Sequence, residues 1–232
     1  MPKFWSLISN GKYRVGCTGQ TVYIYDQNGT ELAKFKDLPY AYHAVFSPKG
    51  DIFVVKTTEG RLAVYSLDEL CLIQKFRFSR VDCSQDDNFC FSPDGERFYN
   101  IERHGTSYHT ALSIYRTSDF SLERRLFEAD PKTEVCTIEF EPAVGDCYLL
   151  GFFRDEKNSA SEYFVARLCD EKLEDIKYIS KDVFDFYRGY KDLEDMGFTE
   201  LAKKWSALKY LECDLSSIET QKYLLAGLWK NN

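Results

Sequence analysis

The chain has three histidines, and they are the first residues to consider for catalysis, because imidazole serves both as a general base and as a metal ligand. They are His43, His104 and His109. The sequence contains no G-x-S-x-G, no H-E-x-x-H and no glycine-rich phosphate loop. Nucleophilic hydrolysis and zinc-dependent hydrolysis therefore lack their usual residues, and we expect a protein that is not an enzyme.

His104 and His109 lie in one predicted loop and could bind a metal ion together with Glu102. Two imidazoles so placed on a hairpin are more typical of a solvated loop, so we expect no metal there. His104→Ala and His109→Ala should then change the free energy of unfolding by no more than about 0.5 kcal/mol, as surface substitutions do.

Charge and cysteine usage exclude several classes of protein. The chain has 30 Lys and Arg against 37 Asp and Glu, a formal net charge of −7. This charge repels phosphate backbones and anionic membranes, so we expect neither nucleic acid nor a membrane as a partner. The 8 cysteines include no C-x-x-C pair, which predicts reduced core thiols. The N-terminus shows no long apolar segment or cleavage site, and a cytoplasmic protein without a membrane span is expected.

The elements that must position any site follow from an internal repeat. An apolar strand followed by a polar turn recurs as "LISNGK", "VFSPKGD", "CFSPDGE" and "EFEPAVGD". Aligning Ile8, Phe46, Phe91 and Phe140 gives intervals of 38, 45 and 49 residues. These intervals are near the ~40–45 residues of a propeller blade. Each repeat has four apolar or alternating segments, which predict strands a to d, and a second marker recurs in strand c at Tyr25, Tyr65, Tyr115 and Ala166.

The segments "FSPKGDIFVVKTTEGRLAVYSLD" and "FSPDGERFYN" resemble the WD40-like β-propeller superfamily, in which an S-P-x-G turn joins strands a and b. The resemblance covers about residues 4–180. The chain departs from it in lacking the Gly-His pair before strand a. The Trp-Asp pair that ends strand c is replaced as well; its positions hold Tyr25-Asp26, Tyr65-Ser66, Tyr115-Arg116 and Ala166-Arg167. The side-chain network that braces strict WD40 blades is therefore not expected.

The repeat and the resemblance together predict an all-β fold formed by a single WD40-like β-propeller. The spacing of Tyr148 and Tyr223 predicts five blades, with a small helical insertion near the C-terminus. The predicted blades are residues 4–37, 38–80, 81–130 and 131–180, followed by an insertion at 181–206 and a partial fifth blade or helical cap at 207–232. In some propeller hydrolases a calcium ion lies in the central channel, and His43, Asn88 and Glu134 fall near the starts of strands a. Such polar groups more often cap the backbone, so neither a metal nor another cofactor is expected.

The C-terminal part allows two interpretations. "ALKYLECD" and "QKYLLAGLW" are compatible with strands a and b of a fifth blade. In the alternative, residues 216–229 form a helix, because Ser216 and Glu219 fit a capping box. Within the insertion, Leu201, Trp205 and Leu208 have helical spacing, which predicts a helix over about 198–211.

Loop lengths indicate a binding face. In the resembled family the b–c and d–a loops share one rim, and the long loops of this chain fall there, at 36–43, 79–88, 101–109, 153–162 and 181–205. Insertions on one face of a repeat fold usually mark its binding face. Tyrosine and arginine anchor many protein interfaces. The candidate binding residues on these loops are Tyr40, Tyr42, Arg103, Tyr108, Arg154, Phe186, Tyr187, Arg188 and Tyr190.

The sequence thus favours a non-catalytic, monomeric propeller that binds a protein partner of unknown identity through its long-loop rim. One alternative is a dedicated inhibitor or immunity protein whose acidic charge speeds encounter with a basic toxin or enzyme. The other alternative is a channel-metal hydrolase or a propeller that binds a small ligand.

Overall fold

The computed structural model describes residues 2–76, 88–104, 109–141, 144–155, 157, 159–195, 211–212 and 225–231. Within them the chain forms four antiparallel sheets, each of four strands in sequence order. The predicted all-β class is confirmed. Among the described residues, no helix is long and apolar enough to cross a membrane.

The strands of the first two sheets follow one another along the chain. They are β2 (Ser6–Ser9), β3 (Tyr13–Cys17), β4 (Val22–Asp26), β5 (Glu31–Phe35), β6 (Ala41–Phe46), β7 (Ile52–Thr57), β8 (Leu62–Ser66) and β9 (Cys71–Phe76). A short strand β1 (Lys3–Phe4) precedes them and pairs with β18 (Leu211–Glu212). These strands belong to the first of two compact units into which the chain divides.

The second unit contains the other two sheets. Their strands are β10 (Phe89–Phe91), β11 (Arg97–His104), β12 (His109–Arg116), β13 (Leu122–Leu126), β14 (Thr133–Phe140), β15 (Cys147–Arg154), β16 (Ala160–Cys169) and β17 (Lys172–Ile179). Two helices follow the last sheet, α1 (Lys181–Asp195) and α2 (Leu225–Asn231).

All four sheets carry the same irregularity between their third and fourth strands. The register shifts at Tyr25, Tyr65 and Tyr115 and, in the fourth sheet, between Val165 and Arg167. These are the positions that the sequence repeat aligns. A bulge bends a strand and increases its twist. The pairing of the third and fourth strands is therefore distorted at the same point of each repeat.

The S-P-x-G turns join the first and second strands for a local reason. Gly50 and Gly95 both have φ of 71°, a left-handed conformation that glycine adopts without steric cost. The hydroxyls of Ser47 and Ser92 donate to Asp51 and Asp94 at 2.6 Å in each case. The turn chemistry read from the sequence therefore places the first two strands of these sheets.

The core of each unit lies between its two sheets. In the first unit Val15, Ile24, Phe53 and Val55 are fully buried in one cluster that both sheets supply. Tyr65 stacks on Phe53 with ring centroids 5.0 Å apart. Burial of such side chains contributes about 1.5–3 kcal/mol each, so the paired sheets, rather than a single sheet, are the stable unit.

In the second unit, Ile101, Leu112, Val135 and Leu149 form the corresponding cluster. A further cluster joins strands β14, β15 and β16 of the fourth sheet to both helices and contains Phe184 of α1. Helix α2 is held there by hydrogen bonds as well as by apolar contacts. The amide of Leu225 donates to Glu139 at 2.9 Å, and the indole of Trp229 donates to the carbonyl of Asp175 at 3.0 Å.

The C-terminal predictions are corrected in part. A helix begins at Lys181, well before the predicted span of about 198–211, most of which lies outside the described residues. Residues 225–231 are helical, so the strand predicted over 221–229 is wrong there, and the alternative helix is favoured for that segment. The tertiary contacts of Leu225 and Leu228 explain the difference, because both side chains are buried against the fourth sheet.

Candidate functional site

The two units share a landmark at the start of their second sheets. In the first unit the register shifts between Ala41 and His43, and in the second unit it shifts between Val135 and Thr137. The residue immediately before this bulge is Tyr40 in one unit and Glu134 in the other. The same structural position thus carries an aromatic ring in the first unit and a carboxylate in the second.

The first unit has an open cleft at this position, with a volume of about 960 Å³. The β3–β4 connection at 18–21 and the β5–β6 connection at 36–40 form two of its walls, and the N-terminal residues form another. Three aromatic side chains, those of Trp5, Tyr23 and Tyr40, line it. Its size lies at the upper end of the range of about 300–1,000 Å³ for ligand sites.

Gly19 permits the two connections to meet. Its φ is 85°, and its amide donates to the carbonyl of Ala41 at 2.9 Å. A Cβ atom at Gly19 would lie 3.2 Å from Nε1 of Trp5. Glycine therefore serves both the left-handed turn and the close approach of the indole that forms the cleft wall.

Tyr40 projects from a strained backbone. Its φ of 62° is unusual for a bulky residue, and its side chain is 57 % exposed. The carbonyl of Tyr40 accepts from the amide of Thr58 at 3.2 Å, which holds the residue in the sheet despite this conformation. Strained residues concentrate at functional sites, and an exposed ring on such a residue is a candidate contact for a ligand.

The lining of the cleft differs in charge from the protein as a whole. Among the described residues that line it, Lys3 and Lys36 are cationic and none is Asp or Glu. Lys3 is paired in register with Glu212 across the β1–β18 ladder, whereas Lys36 is exposed to solvent. In a chain of net charge −7, this cleft is thus a locally basic surface.

The second unit is closed at the equivalent position by a network around Glu134, which is 1 % exposed. Oε1 accepts from Nε of Arg154 at 2.7 Å and contacts Nδ1 of His109 at 2.9 Å. Oε2 accepts from the amide and the hydroxyl of Thr110 at 2.9 and 2.7 Å. The hydroxyl of Thr110 accepts in turn from the amide of Val135 at 2.9 Å. The network therefore joins the third and fourth sheets.

The electrostatics of this network favour an ionised Glu134. Burial alone would raise its pKa, but hydrogen bonds from Thr110, His109 and Arg154 outweigh burial, and the pKa of Glu134 is lowered. His109 also faces the carbonyl of Phe127 through Nε2 at 2.7 Å. The ring of His109 thus bridges the Glu134 carboxylate and the backbone at Phe127.

A second buried carboxylate, that of Glu102, is also engaged in hydrogen bonds that hold strands together. Its oxygens accept from the side-chain amide of Asn100 at 3.2 Å and from Nε of Arg125 at 3.2 Å, and the hydroxyl of Ser113 donates to it. Burial raises the pKa of Tyr115, whose hydroxyl lies 3.4 Å from Glu102. This network of buried side chains braces the third sheet.

The structure corrects two predictions about single residues. His109 is 6 % exposed and belongs to the Glu134 network, so the expected solvated loop, with its negligible effect of His109→Ala on stability, is wrong for this residue. Tyr42 is 8 % exposed because it lies in the bulge of β6, with its ring 6.1 Å from that of His43. It is not available as an interface residue.

The other predicted binding residues have varied environments. Arg154 is held by Glu134, and Arg103 is paired with Thr110 in the β11–β12 ladder. In α1, Phe186 is 48 % exposed and contacts the partly buried Tyr187, and Arg188 is half-buried. Tyr108 and the side chain of Tyr190 lie outside the described residues.

Sequence reasoning missed Trp5, Tyr23 and Lys36 as residues of the cleft. The signal for Lys36 was its place in a connection that the sequence assigned to the long-loop rim. Trp5 and Tyr23 lie beside or within strands, where an aromatic side chain ordinarily indicates core packing. Trp5 and Tyr23 line a cleft only because the connections at 18–21 and 36–40 lie close together in the folded chain.

Four of the residues considered for metal binding are engaged in other contacts, namely Asn88, Glu102, His109 and Glu134. The amide oxygen of Asn88 accepts from the amide of Ile138 at 3.1 Å, and Glu134 is bound as described. In the described part of the chain, no group of three His, Cys, Asp or Glu side chains could hold a metal ion.

Burial raises the pKa of Cys17 to about 12, so its thiol is a poor nucleophile.

Comparisons with known proteins bear on the fold alone. No family model and no curated protein matched the sequence. A solved structure of hydrazine synthase from Kuenenia stuttgartiensis, a β-propeller-containing protein, is similar with a TM-score of 0.61 and 15% identity. The similarity covers 78% of this chain and 50% of that one, so this chain spans about half the length of the protein it matches. In all, 1046 solved chains match, and a fold so widely shared does not identify a function.

Proposed function

We propose that this chain is a non-catalytic, WD40-like β-propeller that binds a protein partner at the cleft lined by Trp5, Tyr23, Lys36 and Tyr40. Two four-stranded sheets packed face to face in each unit are what successive propeller blades require, and the similarity to a propeller-containing protein supports this architecture. The β1–β18 pairing would contribute to a fifth blade.

The observation that carries the binding function is the exposed ring of Tyr40 on a strained backbone at the edge of an open cleft. An unpacked aromatic side chain in such a conformation contributes nothing to the core and costs stability, which is the expected balance for a residue retained for binding. Aromatic side chains that fill or line a pocket dominate the energetics of many protein interfaces.

The potential catalytic groups support a binding protein over an enzyme. Glu102, Glu134 and His109 are buried, and each is saturated with hydrogen bonds that hold strands together. The raised pKa of the buried Cys17 and Cys147 thiols makes them unsuited to nucleophilic attack.

The test is quantitative capture of proteins from the source cell by immobilised protein in three forms. The forms are wild type, Tyr40→Gly, and Lys49→Ala in the β6–β7 turn of the same unit. A true partner should be retained by wild type and by Lys49→Ala and depleted about tenfold or more by Tyr40→Gly. Equal loss from both variants, or no protein whose capture depends on Tyr40, would overturn the proposed site.

A further inference from the structure

We propose that the ligand of this cleft is an extended, acidic peptide segment. This inference rests on the proposed function, because it assumes that the cleft binds a protein. It specifies the chemistry of that partner, which the sequence alone left open.

Charge complementarity is the first argument. Lys36 is exposed in the β5–β6 connection, Lys3 lies on the same lining, and no carboxylate is present among the described lining residues. A carboxylate that enters this cleft is attracted chiefly by Lys36, since Lys3 is paired in register with Glu212. The chain's overall charge of −7 disfavours polyanions that must lie along a larger area. A short acidic segment therefore fits better than a long nucleic acid, which needs many cationic contacts.

The shape and the remaining lining are the second argument. The aromatic rings of Trp5, Tyr23 and Tyr40 offer apolar area for the side chains or backbone of a peptide, and the connection at 18–21 supplies polar side chains beside them. A peptide in extended conformation presents successive side chains to opposite directions. One set can pack on the rings while carboxylates on the chain reach Lys36.

The position of the cleft is the third argument. At the equivalent place in the second unit the protein itself supplies a carboxylate, Glu134, and surrounds it with donors from Thr110, His109 and Arg154. The first unit has Tyr40 there and leaves the space open. A partner carboxylate would thus bind beside the place that the chain's own carboxylate takes in the second unit.

The experiment is a fluorescence-anisotropy titration of the full chain with a labelled peptide of about eight residues, long enough to span the cleft. Its sequence alternates glutamate with leucine or tyrosine. Two matched peptides replace each glutamate by glutamine or by lysine, and a thymidine oligonucleotide of similar length serves as the nucleic-acid probe. We expect the acidic peptide to bind about tenfold more tightly than the glutamine peptide, and the other two probes to bind more weakly still.

Matched variants locate the binding. Lys36→Glu should weaken binding of the acidic peptide about fivefold to tenfold, because an exposed attraction becomes a repulsion. Lys34→Glu makes the same charge change on β5, outside the cleft lining, and should alter affinity less than about twofold. Tyr40→Gly should lower affinity about tenfold.

Three outcomes overturn the inference: equal affinity for the acidic and glutamine peptides, equal effects of Lys36→Glu and Lys34→Glu, or preference for the oligonucleotide. Absence of binding to all four probes also counts against it. If a cellular partner is nevertheless captured in a Tyr40-dependent way, the acidic ligand is wrong and the protein-binding function stands. If Tyr40-dependent capture fails as well, the proposed function fails too.

Discussion

The same structural position is buried in one unit and exposed in the other, and we propose that the buried copy serves stability and the exposed copy serves binding. In the second unit Glu134 is 1 % exposed and receives hydrogen bonds that tie two sheets together. In the first unit Tyr40 is 57 % exposed on a strained backbone beside an open cleft. In a repeat fold, one copy of a position can therefore hold two sheets together while another copy stays exposed to solvent.

The largest expected effect is on the closed position. Glu134→Ala should destabilise the protein by about 3–5 kcal/mol, because the buried amide of Thr110 would lose its acceptor and the half-buried Arg154 and buried His109 would lose their carboxylate partner. Urea denaturation measures this loss. Glu31→Ala, on the exposed strand β5 of the first unit, is the control and should change stability by less than about 1 kcal/mol. Similar losses in the two variants would contradict a structural role specific to Glu134.

The pH dependence of stability tests the charge on the same residue. Because the pKa of Glu134 is lowered in the folded protein, its ionised form contributes stability above the unfolded pKa, near 4.3. This contribution is lost as pH falls through the folded pKa. Glu134→Gln should therefore be less stable than wild type at neutral pH, and the difference should shrink in acid. A difference that stays constant from neutral to acid pH would contradict this.

A smaller effect is expected at the glycine that shapes the cleft. Gly19→Ala and Gly11→Ala both place a side chain at φ of 85° and should each cost about 1–2 kcal/mol for that reason. Only at Gly19 does the new Cβ approach Trp5, since nothing lies within 4 Å of a Cβ at Gly11. Gly19→Ala should lose more stability and shift the tryptophan fluorescence. Identical behaviour of the two variants would show that the indole does not rest on Gly19.

The smallest effect, and one of opposite sign, is expected at the open position. Tyr40→Gly relieves the strain of φ at 62° and should stabilise the protein by about 0.5–1 kcal/mol while impairing binding. Tyr178→Gly is the matched control, because Tyr178 is 61% exposed and lies within strand β17. It should destabilise by about 0.5–1 kcal/mol. Thermal melts compare the two, and a loss of stability in Tyr40→Gly would mean that the ring supports the fold.

Much of the sheet structure was predictable because it depends on local chemistry. The S-P-x-G turns that contain Ser47 and Ser92 predict where the first strand of a sheet ends and the second begins. The alternating segments that contain Tyr25, Tyr65 and Tyr115 predict the third strand of each of three sheets. The helix over 225–231 was harder, because "YLLAGLW" is apolar enough for either structure, and its contacts with the fourth sheet decide between them.

The candidate site was predictable only in part, for a geometric reason. The sequence places Tyr40 on a connection of the proposed binding rim, but the exposure of that ring and the burial of Tyr42 depend on the bulge at the start of β6. His109 has the same kind of dependence. From the sequence, a histidine in a loop is expected to be exposed to solvent. In the structure His109 is buried, because it contacts Glu134, which lies 25 residues away along the chain.

By itself the sequence determined the strand repeat, the turns that separate its strands and the acidic balance of the chain. Those features follow from side-chain propensity and from interactions between residues that are close in sequence. Only the tertiary structure decided that Glu134 is enclosed by Thr110, His109 and Arg154, while Tyr40 borders an open, locally basic cleft. Burial and hydrogen bonding depend on which distant strands meet, and the residue type at a repeated position does not specify its neighbours in the adjoining sheet.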